Sequence, residues 1–329
     1  MHVTDKTGWA VMGTGTIATE YMVSAIRTLG HQPRWVVSRD KQYAQFFSED
    51  TGIDHTATSA RRALSDPEVA FAYVSAARDR RRHYVMAASA ARKHILCDGP
   101  IASTSKGAAE LVATCLQSGI SLVVNQPHRA SSIHQTMHRL VREGEIGILR
   151  AIQIVRGAPF HAPANRRMTE ERRPGDMLLD ITVNDVDLAR FLTGKEPEQV
   201  VALPIEASAS TDQNCYAIHM SDGVIFQAFE SFEIAEIESL VILMGDHGSL
   251  TAHGTLNSKG PATLIRRVGN RNELTPVREG DPYHSTVEQF VDAIGGNFDW
   301  LCSGEDNVAA LRTVEAIAEA NRKHRKVYL

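Results

Sequence analysis

The sequence predicts an α/β protein in which a doubly wound parallel sheet is followed by an α+β domain with a large, mostly antiparallel open sheet. Three observations support this prediction. Short apolar runs alternate with helical stretches up to about residue 124, strand-like segments with period-two alternation dominate after residue 149, and turn signals such as SDG and GDHG separate those segments. We therefore place a domain boundary near residue 124, giving domains of residues 1–124 and 125–329.

The first half alternates strands with helices. Its strand-like runs are GWAVMG (8–13), PRWVVS (33–38), FAYVSA (71–76), HILCDG (94–99) and SLVVN (121–125). The helical stretches are residues 17–29, 42–51, 83–91 and 105–118, followed by one more at 131–143. Strands that alternate with helices form a parallel sheet covered on both faces.

The second half of the sequence has a different pattern of strands and helices. Its strand-like runs are LRAIQIVRG (149–157), QVVALPIEA (199–207), CYAIHM (215–220), GVIFQAFESFEI (223–234), SLVILMG (239–245) and ATLIRRV (262–268). Helices are predicted near residues 177–192, 285–294 and 306–323. Consecutive alternating strands joined by turns indicate an antiparallel sheet.

Composition excludes several classes of protein. With 329 residues, of which 43% are hydrophobic and 22% charged, the chain is globular and long enough for two domains. A formal net charge of −4 gives no global attraction to nucleic acid or to an anionic membrane surface. No apolar run is long enough to span a bilayer, the first residues do not resemble a signal peptide, and the four cysteines lack the paired spacing of a disulfide framework or zinc site. We expect a cytoplasmic protein that binds a small-molecule substrate.

A glycine-rich motif, GTGTIA at residues 13–18, follows the first strand and opens the first helix. Gly13 permits a tight turn, Gly15 lets the backbone approach a pyrophosphate, and the small Ala18 allows close helix packing. The helix N-terminus, at Thr16 and Ile17, supplies N–H donors to that anion. A plain strand-to-helix turn is the alternative, but the strand–helix–strand context favours a dinucleotide site.

The end of the second strand bears on the choice of cofactor. An NAD-selective site usually has a carboxylate there to bind the ribose diol, whereas this chain has Ser38 and Arg39, which suit the 2′-phosphate of NADP. In the alternative, Arg39 points into water and Asp40 binds the ribose. We favour NADP and keep NAD as the alternative.

Several motifs resemble the Gfo/Idh/MocA oxidoreductases, the family of glucose-fructose oxidoreductase and the inositol dehydrogenases. Besides GTGTIA and SRD, these are SDPEV, RKHILCDGPIA, GEIGILRAI, LLDITVNDVDLARFLTG and SGEDNVAALRTVEAIAEA, in the family's order and spacing. The resemblance implies an N-terminal Rossmann domain, a cofactor at the domain junction, and assembly into a homodimer or homotetramer through the C-terminal sheet. An open sheet face needs covering, which independently favours an oligomer.

Compared with that family, the chain departs at three places. Where members usually read EKP, with a lysine beside the nicotinamide and the reacting hydroxyl, it has Asp98, Gly99 and Pro100. The usual histidine four residues after an aspartate is replaced by Asn184, and a common PNxxH pattern is replaced at residues 77–81. The motifs and the resemblance together predict these cofactor-binding residues: Gly13, Gly15, Thr16, Ile17, Ser38, Arg39, Ala76, Arg78, Asp98, Gly99 and Pro100.

Hydride transfer at a carbinol also moves a proton, so an active enzyme needs an acid or base. Asp180 is the first candidate, because the resemblance places it facing the cleft; the alternative is that it only orients a neighbour. Asn184 forms hydrogen bonds but does not exchange a proton near neutral pH. His128, in NQPHR, is the second candidate, although a structural role is the more common one for such a histidine.

Two further patterns carry less weight. Arg78, Arg80, Arg81 and Arg82 crowd the start of a predicted helix, where an anion would relieve their conflict with the helix dipole. For all but Arg78, a solvated basic face is the preferred interpretation. His134 and His138 have a spacing that metal sites use, but a polar helix face is preferred and no metal site is predicted.

Three functions remain open at this stage. The leading one is an NADP-dependent oxidoreductase acting on a small polyhydroxylated or cyclic alcohol or ketone, such as a sugar, an inositol or a dihydrodiol. The second is a sensor or regulator that keeps the cofactor pocket but has lost catalysis. The third is a redox-assisted lyase or glycosidase, in which the cofactor is reduced and reoxidised within one cycle.

Overall fold

A computed structural model describes residues 7–157, 177–203, 213–234, 236–256, 262–294 and 299–329. Contacts divide the chain into two compact units. The first contains the described residues up to Pro127 together with those of Asp281–Val308, and the second contains those from His128 to Gly280 together with Ala309–Leu329. The division into domains at residue 124 stays a prediction. Within the described residues, no helix is both long and apolar enough to cross a membrane.

The first unit is built on a seven-stranded sheet. Its strands are β1 (Gly8–Met12), β2 (Gln32–Val37), β3 (His55–Ala57), β4 (Val69–Val74), β5 (His94–Asp98), β6 (Leu122–Asn125) and β15 (Cys302–Ser303). Their order is β15-β6-β5-β4-β1-β2-β3, and every pair is parallel except β15 with β6. Omitting β15, this is the 3-2-1-4-5-6 order of a Rossmann sheet, in which ligands bind at the carboxyl ends of the strands.

Helices of the first unit follow the strands. They are a π-helical turn (Ala18–Met22) continuing into α1 (Val23–Thr28), then α2 (Lys41–Thr51), α3 (Ala60–Leu64), α4 (Arg78–Ala90), α5 (Ser105–Gln117) and α9 (Pro282–Asp292). The core lies between helices and sheet. In it Phe290 of α9 packs on Trp9 and Phe71, with ring centroids 5.5 and 5.6 Å apart. Helix α9 therefore covers the parallel sheet, although it follows the antiparallel strands in the sequence.

The second unit contains a nine-stranded sheet. Its strands are β7 (Leu149–Gly157), β8 (Pro197–Ala202), β9 (Gln213–Met220), β10 (Ile225–Ser231), β11 (Leu240–Gly245), β12 (Gly248–His253), β13 (Thr263–Val268), β14 (Arg271–Leu274) and β16 (Val327–Tyr328). The order is β14-β13-β12-β11-β7-β10-β9-β8-β16. Only β7 and β10 pair in parallel among these strands, so the expectation of a mostly antiparallel sheet is confirmed.

Helices before and after β7 belong to this unit. They are α6 (Pro127–Ala130, from its second residue), α7 (Ser132–Arg142), a π-helical turn (Leu178–Thr182) and α8 (Val183–Thr193), and the units also divide within α10 (Gly304–Lys323). A buried ion pair connects α6 to α8: Arg129 Nε and Nη2 each donate to an Asp187 oxygen at 2.7 Å. The two side chains are 6% and 1% exposed. A bidentate pair at such depth fixes both helices and is costly to break.

The predicted fold class is confirmed for both parts of the chain. Some short elements were not predicted from the sequence, namely β3, α3, α6, β12, β14, β15 and β16. All of these have two to six residues, which is too short for a clear hydrophobic period.

Candidate active site

The glycine motif forms the turn between β1 and the first helix. Gly13 has φ +107°, and a Cβ there would lie 2.4 Å from the Ser75 carbonyl oxygen. A Cβ on Gly15 would lie 2.7 Å from Ser75 Oγ. Helical structure begins at Thr16 and Ile17, directly after this turn. Both glycines are therefore required by the close approach of the turn to the end of β4, and the turn stands at the carboxyl edge where this type of sheet binds ligands.

At the end of β2, the carboxylate of Asp40 already accepts hydrogen bonds from the backbone. Asp40 Oδ1 accepts hydrogen bonds from Gln42 N at 2.8 Å and Tyr43 N at 3.4 Å, and so caps α2. Ser38 is buried and its Oγ accepts from Asp40 N, whereas Arg39 is exposed. The structure thus leaves the Arg39 side chain facing solvent and gives Asp40 a structural role.

A second arginine lies near Arg39. Burial raises the pKa of Tyr84, on α4, and the positive charges of Arg80 and Arg39 oppose that shift. The charges of two arginines from different segments, Arg39 after β2 and Arg80 on α4, therefore act on the same side chain.

Asp98, the last residue of β5, is the centre of a buried hydrogen-bond network. Its Oδ1 accepts from Tyr73 Oη at 2.7 Å and from Asn125 Nδ2 at 3.0 Å, and its Oδ2 accepts from Ser75 Oγ at 2.7 Å. The three donors come from β4, β6 and the loop after β4, so Asp98 ties neighbouring strand ends together. Asp98 was predicted from the sequence as a site residue. Its three partners were not predicted, because only the order of the strands in the sheet places them near it.

Gly99 and Pro100 follow Asp98 and are joined by a cis peptide bond. The Pro100 carbonyl accepts from Arg81 Nη1 at 2.6 Å, and Ile101 N donates to Asn307 Oδ1 at 3.0 Å. The loop after β5 is thus held on two sides. Neither holding residue was predicted from the sequence.

The arginines at the start of α4 differ in role. Arg81 is partly buried, and its Nε donates to the Ala76 carbonyl at 3.0 Å, so the expectation that it belongs to a solvated face is wrong. Arg80 and Arg82 are exposed, as expected, and Arg82 pairs with Glu110 at 2.9 Å. Arg78 is the first residue of α4 and is partly buried.

In the second unit, Asp180 and Asn184 lie one helical turn apart on the π-helical turn and α8, and both are partly exposed. Asn184 Nδ2 donates to the Asp180 backbone oxygen at 2.8 Å. One N–H of Asn184 therefore stabilises the turn that carries Asp180, and Asp180 is the only member of this pair with a titratable side chain.

His128 lies in the second unit beside another histidine. Burial, the charge of Arg156 and the nearby His134 hold the pKa of His128 well below its usual value. His134 is fully buried: its Nδ1 lies 2.8 Å from the His128 carbonyl oxygen, its Nε2 lies 3.0 Å from Thr255 Oγ1, and burial lowers its pKa to about 4. The expectation that His134 lies on a polar helix face is wrong, because both its nitrogens serve the fold. Among the described residues, no three ligating side chains cluster in a way that suits a metal ion.

The second unit also buries a carboxyl pair that was not predicted. Glu230 on β10 is fully buried and accepts from Tyr216 Oη at 2.8 Å and from Thr182 Oγ1. Burial and the charge of Asp185 raise the pKa of Glu230 to about 8. Asp185 in turn accepts from Arg156 Nη1 at 3.0 Å. Glu230 follows the period-two pattern of its strand, and no sequence signal distinguishes it from a solvent-facing residue.

The structure therefore places the predicted cofactor residues in the first unit, around the carboxyl ends of β1, β2, β4 and β5. The three predicted catalytic residues, His128, Asp180 and Asn184, belong to the second unit. The basic segment of residues 162–173, which was expected from the sequence to resemble the family's substrate loop, lies outside the described residues.

Comparison with known proteins extends over both units. Residues 7–126 match the oxidoreductase family with an NAD-binding Rossmann fold, and residues 134–251 match the GFO/IDH/MocA C-terminal domain. The chain is 29% identical over 322 residues to 1,5-anhydro-D-fructose reductase of Ensifer adhaerens, covering 95% of each chain. It is 22% identical to D-xylose 1-dehydrogenase (NADP(+)) 2 of Haloferax volcanii, over 95% of this chain and 96% of that protein.

Among solved structures, the aldose-aldose oxidoreductase of Caulobacter crescentus complexed with glycerol has a TM-score of 0.87 and 22% identity, over 98% of this chain and 100% of that one. This likeness shows a shared fold. The predicted resemblance, and the class of oxidoreductase acting on CH–OH groups, are confirmed by the family match and the named relatives. The chain belongs to the GFO/IDH/MocA family of oxidoreductases.

Proposed function

We propose that the protein is an NADP-preferring oxidoreductase that transfers a hydride between the nicotinamide and a small polyhydroxylated or cyclic alcohol or ketone. Sugars, inositols and dihydrodiols are the substrate class. The observation that carries the proposal is the glycine turn at the carboxyl edge of the first sheet, with Ser38 and Arg39 at the end of the neighbouring strand. The substrates named for the bacterial and archaeal relatives, a ketosugar and an aldose, support this class.

The residues present fit a dinucleotide. A Cβ at Gly13 or Gly15 would clash with Ser75, so both glycines are needed for the tight turn that leads into the helix N-terminus, where a pyrophosphate binds in this type of fold. At the end of β2, Asp40 is engaged in capping α2, which argues against its use for the ribose diol. Arg39 with Arg80 offers positive charge for a 2′-phosphate, which supports NADP over NAD.

When bound, the nicotinamide supplies or accepts the hydride. The chain itself has to move one proton to or from the substrate oxygen. We assign this step to Asp180, because the Asn184 amide does not titrate near neutral pH and burial beside Arg156 makes His128 a weak base. Asn184 keeps the Asp180 turn in place and has a second amide N–H with which to orient a hydroxyl.

The test follows nicotinamide absorbance with NADPH, NADH and their oxidised forms against sugars, inositols, dihydrodiols and ketones, including 1,5-anhydro-D-fructose. Asp180→Asn removes the proposed acid while keeping a similar shape. Asp222→Asn is the matched control, because Asp222 is an exposed partner of Lys195 on a turn of the second unit. We expect kcat to fall at least a hundredfold in Asp180→Asn and to stay unchanged in the control.

Other outcomes would support a different function or a different catalytic residue. Tight NADPH binding without turnover on any substrate would contradict the proposal and favour a regulator. Substrate cleavage without net cofactor consumption would favour a redox-assisted lyase or glycosidase. Full activity of Asp180→Asn would remove Asp180 from the mechanism and leave the oxidoreductase intact.

We also propose a homodimer or homotetramer formed through the second sheet. On the face opposite the buried Ile152 and Ile154, the partly exposed Val155 pairs with Leu240 and Phe229 of the adjacent strands. A row of apolar side chains on an open sheet face favours a protein partner. Light scattering should give a dimer or tetramer that Val155→Glu dissociates and that Arg142→Glu, on the exposed surface of α7, leaves intact.

A cytoplasmic location completes the proposal. All four cysteines are free, with Cys97, Cys115 and Cys302 buried and Cys215 partly exposed. Free thiols are typical of a reducing compartment.

A further inference from the structure

Gln126 is a buried amide in the first unit whose donor has no partner. It directly follows Asn125, the last residue of β6, and is 4% exposed. Its Nε2 atom makes no hydrogen bond within the part of the chain that the structure describes. Buried polar groups in proteins are nearly always hydrogen-bonded, because an unmade bond costs free energy. A donor of this kind needs a partner that the described residues do not supply.

The amide borders the space that Gly99 leaves open. A Cβ on Gly99 would lie 3.5 Å from Gln126 Nε2 and 3.0 Å from Val124 Cγ1. Gly99 is not among the glycines with positive φ, so its backbone conformation does not require a glycine. What the glycine provides is the absence of a side chain that would lie against Nε2.

The Asn125 donor and the Asp98 carboxylate at this edge are already engaged. Asn125 Nδ2 donates to Asp98, whose two oxygens also accept from Tyr73 and Ser75. Gln126 does not join this network. Its Nε2 is therefore a donor at this strand end that remains available to a ligand, beside the unpaired acceptor Asn125 Oδ1.

Strand order indicates which part of a ligand reaches it. In this sheet β2 lies on one side of β1, and β4, β5 and β6 lie on the other. A dinucleotide whose pyrophosphate lies at the β1 turn and whose adenosine end lies at β2 extends its nicotinamide half toward β4 and beyond. The neutral acceptors of that half are the ribose hydroxyl oxygens and, at its far end, the carbonyl oxygen of the nicotinamide carboxamide.

We propose that Gln126 Nε2 donates a hydrogen bond to the nicotinamide carboxamide oxygen, in the space opened by Gly99. This inference rests on the proposed function. Gln126 is a positioning residue: it fixes the orientation of the ring and exchanges no proton. A side chain at residue 99 would compete for the same space.

The test measures binding rather than activity. Gln126→Leu removes the donor at similar volume, and Gln117→Leu, at the exposed end of α5, is the control. Titrations use oxidised NADP, 2′,5′-ADP, which lacks the nicotinamide, and thio-NADP, in which sulfur replaces the carboxamide oxygen. We expect Gln126→Leu to weaken NADP binding about fivefold to tenfold and to leave 2′,5′-ADP unchanged. The wild type should bind NADP several-fold more tightly than thio-NADP, and the variant should lose that preference.

Thermal unfolding separates this role from a structural one. Because Leu replaces a buried donor that has no partner, Gln126→Leu should keep or raise the melting temperature of the free protein while weakening NADP binding. Unchanged NADP binding in Gln126→Leu, or an equal loss for 2′,5′-ADP, would overturn the inference. A wild-type protein that binds no dinucleotide would instead overturn the proposed function.

Discussion

Each of the two sheets buries a carboxyl group, but the two groups are placed differently. Asp98 stands at the end of a parallel strand, and its oxygens accept three hydrogen bonds from Tyr73, Ser75 and Asn125. Glu230 lies within β10, between β7 and β9, and its pKa is raised to about 8 by burial and by Asp185. Asp98 therefore holds strand ends together at the edge of one sheet, whereas Glu230 keeps its proton inside the fold.

This difference between Asp98 and Glu230 indicates where in the molecule chemistry is expected. Donors converge on Asp98 because parallel strands end at a common edge, and that edge also carries the glycine turn and Gly99. Glu230 is surrounded by the fold's own groups, so its proton affects stability rather than a ligand. The variants below test this difference, in order of decreasing expected effect.

Glu230→Gln should change the pH dependence of stability most. Between about pH 4.5 and about pH 8 the unfolded carboxyl has lost its proton while the folded one keeps it, so the wild type loses stability as pH rises through this window. The loss is at most about 5 kcal/mol over the whole window. Urea unfolding from pH 5 to pH 8 should show a flatter profile for Glu230→Gln.

The control for this variant is Glu233→Gln, an exposed glutamate two residues after β10. It should keep the wild-type profile. If Glu230→Gln and wild type lost the same stability between pH 5 and pH 8, Glu230 would not hold its proton in the folded state.

Asp98→Ala should lower the free energy of unfolding by about 3 kcal/mol, because three buried donors lose their acceptor. Asp98→Asn should cost less, since its amide oxygen still accepts. Urea titration at pH 7 measures both variants. A cost below about 1 kcal/mol for the alanine would mean that the network does not hold the strand ends.

His134→Gln should reduce sensitivity to acid. The pKa of His134 is lowered to about 4, so between about pH 6.5 and pH 4 the unfolded histidine is protonated and the folded one is not. Stability therefore falls as pH drops through this window, by up to about 3 kcal/mol. Unfolding at pH 7 and pH 4.5 should show a smaller difference in His134→Gln, and the exposed His247→Gln should behave as wild type.

Gly99→Ala should have the smallest effect on stability. Its φ is allowed for alanine, and the added Cβ needs only a small shift of Val124 Cγ1, 3.0 Å away. We expect a change below about 1 kcal/mol, similar to that of Gly280→Ala, whose Cβ would meet Ser132 Oγ at an ordinary 3.5 Å. A loss of several kcal/mol would show that the glycine serves the fold rather than the open space.

Much of the fold follows from local patterns in the sequence. The alternating apolar runs predict β1, β2, β4, β5 and β6, and LRAIQIVRG has the bounds of β7. The position of α9 was not predictable, because its amphipathic pattern does not say which sheet it covers. The parallel pairing of β7 with β10 was missed for the same reason, since pairing depends on contacts between distant segments.

The residues of the candidate site also fall into predictable and unpredictable ones. Gly13 and Gly15 were predicted because their role depends on backbone geometry that a short motif encodes. Gln126 and Arg81 were missed, because their importance depends on what lies opposite them in space. Glu230 gave no signal, since a glutamate in an alternating strand is usually exposed.

The central claim is that the carboxyl edge of the first sheet binds a dinucleotide and that Arg39 selects NADP. The most direct measurement is a fluorescence titration of the wild type, Arg39→Ala and Arg82→Ala with NADPH and NADH. We expect the wild type and Arg82→Ala to bind NADPH at least tenfold more tightly than NADH, and Arg39→Ala to lose that preference while its NADH affinity stays unchanged. Equal affinities in the wild type, or a preference that survives in Arg39→Ala, would contradict the selection of NADP by Arg39, and no binding of either nucleotide would contradict the site itself.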